Sequence, residues 1–401
     1  MTRSAMAQNY IINDGTLLEG FETFADWNLV STGAIADDTT NYKTGTHSLK
    51  LTAAEGGNVS ASKTISLDMR GKNGIIDIWV YLYSEPETFS SLYLYISSTT
   101  DYSVCFQRSM SSATGLNKGW NRLSVGIDEW TNTGGESWDN MMIRLKVKLT
   151  SVTAQIAIAS VDSLIYNRKG LARCVITFDD ARASAYDEGY VYANAKGIKG
   201  TFYVIPDNVD TAGNMSLAEC TTVYNAGWAL GNHTKSHTDL TTVTEAEAVT
   251  ALTDGKAWLD AQGFTRATRH ASYPDGNYNA TVLSAMATAG MQTGRTIRQD
   301  FMIAPMADPY QLTVKKMTNT VTLATAKGWI DSAISRGATV MFLLHQLVEA
   351  PDSSTEWGIA DFQALIDYIV ARRIKCVTID EWYNCQSNPR YRSDTLARPA
   401  V

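Results

Sequence analysis

Between residues 16 and 167, apolar and polar positions alternate in steps of two. The stretches 75–84 (IIDIWVYLYS), 91–97, 121–127, 142–149 (MIRLKVKL) and 154–161 would each place their apolar side chains on one face of an extended chain. Clusters of Gly, Asn, Ser and Thr separate them, with hardly a helical stretch between. Short strands punctuated in this way predict a β-sandwich. Past residue 170 the period changes. Short apolar runs at 173–178, 200–205, 228–232, 269–274, 291–297, 312–317, 338–345 and 375–380 alternate with amphipathic stretches at 182–196, 216–226, 243–262, 278–289, 323–336 and 358–372. Strand–helix alternation predicts a mostly parallel sheet or barrel, whose ligands sit at the carboxyl ends of the strands. The chain thus reads as multidomain: a tail over 1–15, an all-β sandwich over 16–167, a β/α domain over 170–384 and a second tail over 385–401.

Composition narrows the class. With 401 residues, 44% hydrophobic and 19% charged, the chain is globular and too long for one ordinary core. A net charge of −7 argues against nucleic acid as a partner, and no apolar run is long enough to span a bilayer. The opening MTRSAMAQNYIINDG has no apolar segment of the kind a signal peptide needs. The five cysteines are scattered, without a CxxC pair, and read as free thiols. These features predict synthesis in a reducing cytosol without export through the general secretory route; release by lysis, as part of a virion, is the expectation if the chain acts on a glycan outside the cell.

The candidate chemistry lies at strand ends. The run CVITFDD closes on Asp179 and Asp180, which cannot both lie unpaired in a core. Five histidines are present, His47, His233, His237, His270 and His345. The HxxxH spacing of His233 and His237 would set two imidazoles on one side of a helical turn, within reach of one ion. His345 ends the run MFLLH. In a barrel all these ends converge on one face. One carboxylate plus two imidazoles makes a three-ligand site with an open position, the arrangement of a catalytic zinc; the second carboxylate and the third imidazole would form an acid–base pair.

The ordered motifs TFDD, HTKSH, YPDG and LLH resemble those of the polysaccharide deacetylases, carbohydrate esterase family four, over about residues 170–384. The resemblance implies a distorted (β/α) barrel with a divalent metal, usually zinc, acting on an acetylated polysaccharide or oligosaccharide. It implies Asp180, His233 and His237 as metal ligands, Asp179 as general base and His345 as general acid, with the backbone N–H of Asp275 completing an oxyanion hole. The position matching the family's base-orienting Arg is Ser272; Arg269, Arg295 or Arg298 could take its place, and Arg295 is the one carried forward. The family's Asp-Trp tether for the acid His is not recognisable, and Asp308 is the nearest substitute. Those departures motivate the alternative, a glycan-binding or adhesive protein whose barrel has lost its catalytic machinery.

In the first half, LLEGFETFADW, KTGTHSLKL and SVDSLIYN resemble the opening and closing of jelly-roll carbohydrate-binding modules. That resemblance implies a structural calcium held by Glu22 and Asp162. Trp130 and Trp138, in the polar stretch DEWTNTGGESWDN, are the candidates for stacking on sugar.

Overall fold

The computed structural model describes residues 16–72, 74–111, 118–168, 172–302 and 308–387. The chain divides into two compact units between Lys169 and Gly170.

The first unit is a sandwich of two antiparallel sheets. Its strands are β1 (Thr16–Glu19), β2 (Asn28–Leu29), β3 (Ala34–Asp38), β4 (Ser48–Ala53), β5 (Asn58–Asp68), β6 (Gly74–Leu82), β7 (Phe89–Ser97), β8 (Cys105–Ser111), β9 (Gly119–Gly126), β10 (Thr131–Thr133), β11 (Met141–Ser151) and β12 (Ala157–Arg168). One sheet runs β3-β4-β12-β6-β9, with β1 also on β12; the other runs β10-β8-β7-β11-β5-β2. The inward alternate residues, among them Leu49, Leu51, Ile76, Ile78, Leu92, Leu94, Leu145 and Val147, form one core. Trp130 is 6% exposed in that core, and Trp138 stacks on Phe106 at 3.9 Å while its indole N–H donates to the Ile127 carbonyl. Trp130 is therefore a core residue and not the exposed platform expected from its polar neighbours, while Trp138 is half-buried with one face covered by Phe106 of β8.

The second unit is a closed barrel. Seven parallel strands, β13 (Arg173–Asp179), β14 (Thr201–Val204), β15 (Ala229–Asn232), β16 (Ala267–Ser272), β17 (Thr293–Gln299), β18 (Leu312–Lys316) and β19 (Thr339–Leu344), pair in order, and β13 pairs with both β14 and β19. Strand parity then decides what faces the lumen. Cys174, Ile176 and Phe178 pack outward with the helices, which leaves Val175, Thr177 and Asp179 inside. On β19 the outward set Val340, Phe342 and Leu344 likewise turns His345 inward. Helices begin at side-chain caps: Ser216 and Thr244 in capping boxes with Glu219 and Glu247, Asn279 on Val282 and Thr322 on Thr325. The run 375–380 is not a barrel strand. Only Lys375–Cys376 pairs with β13, and a helix over Ile379–Ser387 follows, running past residue 384. Its Trp382 is buried with Val175 and Met341, and its indole N–H donates to Thr339 Oγ1.

Candidate active site

Asp179 is the last residue of β13 and is 3% exposed. The next two residues, Asp180 (φ 66°) and Ala181 (φ 53°), turn through the left-handed region. This kink lets two adjacent carboxylates serve one site. His233 follows β15 directly, its parity shared with the lumenal Ala229. The segment 233–237 is a tight turn and not the helical turn that the HxxxH spacing suggested. Thr234 and His237 both have positive φ, at 60° and 58°. Asn232 Oδ1 accepts from the Thr234 N–H, and Thr234 Oγ1 accepts from the His237 N–H, so buried side chains enforce the conformation.

The result is a compact donor cluster. One ligand atom each from Asp180, His233 and His237 lie within 4.8 Å of one another, the sole such group among the described residues. His233 Nε2 lies 3.5 Å and His237 Nε2 3.9 Å from Asp180 Oδ1, and the two rings stand nearly perpendicular. His233 Nδ1 is 2.7 Å from Ser272 Oγ and 3.0 Å from the Ser272 carbonyl, so Nδ1 carries the proton toward that carbonyl and Nε2 faces the cluster. Arg182 donates to Asp180 Oδ2 at 3.1 Å.

Beside the cluster lies the second carboxylate. Arg295, fully buried on β17, bonds both oxygens of Asp179. The register Ser272↔Arg295 brings this guanidinium next to the position where a preceding-motif arginine was looked for. Arg269 instead donates to the Gly290 carbonyl and Arg298 to Gln311. His345 Nε2 stands 3.9 Å from Asp179 Oδ2, while its buried Nδ1 has no hydrogen-bond partner among the described residues. Asp308 does not supply one, because its carboxylate caps the Tyr310 and Gln311 turn. Asp275 sits in the YPDG turn with φ 54°, exposed.

Burial works to raise the pKa of Asp180, but the His233 hydrogen bond and the charges of His233, His345 and Arg182 outweigh it and hold the carboxyl well below its usual range. His237 is lowered by burial and by His233, against the pull of Asp180, Asp275 and Asp179. Burial likewise lowers His345, opposed by Asp179 and Asp180. An ionised carboxylate and neutral imidazoles are the protonation states that ligate metal.

Two contributors escaped the reading of the sequence. Ser272 was noted only as a missing arginine, yet it fixes the tautomer of His233. Tyr203, whose ring lies 5.2 Å under the Arg295 guanidinium, sits at the register partner of Asp179. The alternation of TFYV, with Phe202 and Val204 outward, was the signal for Tyr203. In the first unit, Glu22 Oε2 accepts from the Thr46 N–H and Asp162 Oδ2 from the Lys43 and Thr44 N–H groups, so both expected calcium ligands hold one loop.

Residues 168–294 match the family model described as polysaccharide deacetylase. Bacillus subtilis (strain 168) YxkH, whose name places it among the polysaccharide deacetylases, is 28% identical over 134 residues, 33% of this chain and 48% of that protein. The chain thus spans about half the length of this curated relative. Among solved structures, the Streptococcus pyogenes deacetylase PplD is 24% identical over 35% of this chain and 63% of that one, with a TM-score of 0.31. The family 4 carbohydrate esterase of Streptomyces lividans is 15% identical over 52% of this chain and 92% of that one, with a TM-score of 0.36. The likeness to the polysaccharide deacetylases thus rests on residues 168–294, which hold Asp179, Asp180, His233 and His237.

Proposed function

We propose that the protein is a metal-dependent hydrolase that removes acetyl groups from a polysaccharide, with Asp180, His233 and His237 as metal ligands, Asp179 as general base and His345 as general acid. The observation that carries this reading is the gathering of the three donors within 4.8 Å, with Asp179 and His345 alongside, in a unit whose residues 168–294 match the polysaccharide deacetylase model. The donor set suits a divalent transition metal, zinc foremost, and leaves a fourth position open. Ligands about 2.1 Å from a tetrahedral centre stand about 3.4 Å apart. The separations of 3.5 and 3.9 Å around Asp180 are close to that spacing.

A metal held there would lower the pKa of water to about 7 and polarise the acyl oxygen. Asp179, fixed by Arg295, takes the proton of the attacking water, a step worth roughly 10²–10⁴ in rate. The Asp275 N–H stabilises charge on the acyl oxygen, at about 3 kcal/mol for such a donor. His345 gives its proton to the departing nitrogen or oxygen. Amines leave less readily than alcohols, so an N-acetyl substrate depends on this proton more than an O-acetyl ester does.

In the first unit, Glu22 and Asp162 are read as ligands of a structural calcium. Asp162 is fully buried, its Oδ1 has no hydrogen-bond partner among the described residues, and burial raises its pKa to about 6. A buried carboxylate in that condition lacks a counter-charge.

The test is acetate release from acetylated xylan, N-acetylated chitooligosaccharides and peptidoglycan, with and without a chelator. Acetate that disappears on chelation and returns with zinc is the expected result. A zinc-loaded protein inert on all three would contradict it.

A further inference from the structure

The outer face of the second sandwich sheet carries a charge pattern that neither the core nor the barrel uses. On β11 the residues Leu145, Val147 and Leu149 point into the core, so Arg144, Lys146 and Lys148 share the outward face. Alternate residues of a strand lie about 6.7 Å apart, which makes them a row of cations. Tyr95 and Tyr93 of β7 stand opposite Lys146 and Lys148 in the register. Opposite the row lie Ser60, Ser62 and Thr64 on β5 and Ser97 on β7, of which only Thr64 is exposed, and beyond Tyr93 and Tyr95 lie the exposed Ser109 and half-buried Gln107 of β8. Three like charges thus sit together with no carboxylate among them, in a chain with 41 acidic against 34 basic residues.

None of the three pairs with an acid among the described residues. Arg144 donates to the Thr64 hydroxyl, and the Lys146 ammonium lies 4.1 and 4.0 Å over the rings of Tyr95 and Tyr102. Like charges on neighbouring same-face positions repel, and of the three only Lys146 has aromatic rings beneath it to offset that cost. From this juxtaposition we infer that the outer face of the β5–β11–β7–β8 sheet binds a carboxylate-bearing polysaccharide, with Arg144 and Lys148 meeting the carboxylates and Tyr93, Tyr95, Thr64 and Ser109 meeting the sugar rings. Charge complementarity selects a polyanion. Three cations neutralise few phosphates, which disfavours nucleic acid, and fall short of the roughly four to eight that hold a protein to an anionic membrane. Aromatic rings among hydroxyl and amide groups match the mixed C–H and O–H surface of a sugar.

The experiment uses the full chain in affinity electrophoresis through polygalacturonate, and through the same polymer fully methyl-esterified. Retardation by the acidic polymer alone, weakened by added salt, is the expected result. The double variant Arg144→Ser/Lys148→Ser should bind about tenfold more weakly with unchanged melting temperature and acetate release. Equal retardation by both polymers, no retardation by the acidic one, an unaffected double variant, or tighter binding to duplex DNA or phosphatidylglycerol vesicles would each overturn the inference. The Asp180→Ala variant should bind the polymer as the parent does, which separates this face from the barrel chemistry.

Discussion

Replacing Arg295 by methionine tests the frame of the barrel site. Arg295 is 0% exposed and the Asp179 side chain 5% exposed, so the pair is out of water. Methionine approximates the length of the lost side chain, which keeps any cavity small. What remains is a stranded carboxylate, and removing one partner of a buried pair costs about 3–5 kcal/mol. In a unit of this size each kcal/mol moves the melting temperature by about 2–4 °C, so the barrel transition should fall by about 6–20 °C. Adding Asp179→Asn removes the stranded charge. The double variant should therefore recover part of the loss, with a coupling of about 1–3 kcal/mol. Scanning calorimetry of the parent, both single variants and the double variant closes the cycle. A single Arg295→Met variant that melts within about a degree of the parent would show that the pair carries no buried charge, and the reasoning would fail.

Two further outcomes concern the barrel site and one the sandwich. Because burial lowers His345 below its ordinary 6.5, its acidic form is lost early as pH rises, so kcat on N-acetyl substrates should decline on the basic side from below pH 6.5; His345→Ala should cost N-acetyl substrates more than O-acetyl esters. Ser272→Ala leaves only the backbone carbonyl to hold His233 Nδ1, and zinc affinity, measured by competition with a chromophoric chelator, should fall about tenfold. Asp162 has a folded pKa of about 6 against 3.8. Its contribution is therefore fully present below about pH 4 and lost as pH rises towards 6, at most about 3 kcal/mol. In a chelator the sandwich should melt lower at neutral pH than at pH about 4, and Asp162→Asn should flatten that difference.

Much of the barrel was legible because parallel strands buried on both faces read as unbroken apolar runs, and because most helices open on a Ser, Thr or Asn cap. The site residues at strand ends were legible for the same reason: VITF and MFLL stop at an acid or an imidazole. Misreadings arose where tertiary contacts decide. The run CVTID has strand composition, yet after Cys376 the chain leaves the sheet and starts a helix at Ile379. Strands such as β5, NVSASKTISLD, were missed because serines occupy the outward positions and the inward Ala61 is small. The polar surroundings of Trp130 and Trp138 gave no sign of Phe106. The left-handed turns at Asp180, Thr234 and His237 had no local cue, since none is glycine. Three arginines competed for the base, and only the register of β17 against β16 selects Arg295.

In the proposed site three side chains from two loops, Asp180 after β13 and His233 and His237 after β15, hold one metal ion. Elemental analysis of the purified full chain after zinc loading and desalting measures it directly, with Asp180→Ala beside it. One equivalent of zinc on the parent and none retained by the variant is the predicted result. A parent that retains no metal, or a variant that holds as much as the parent, would contradict it.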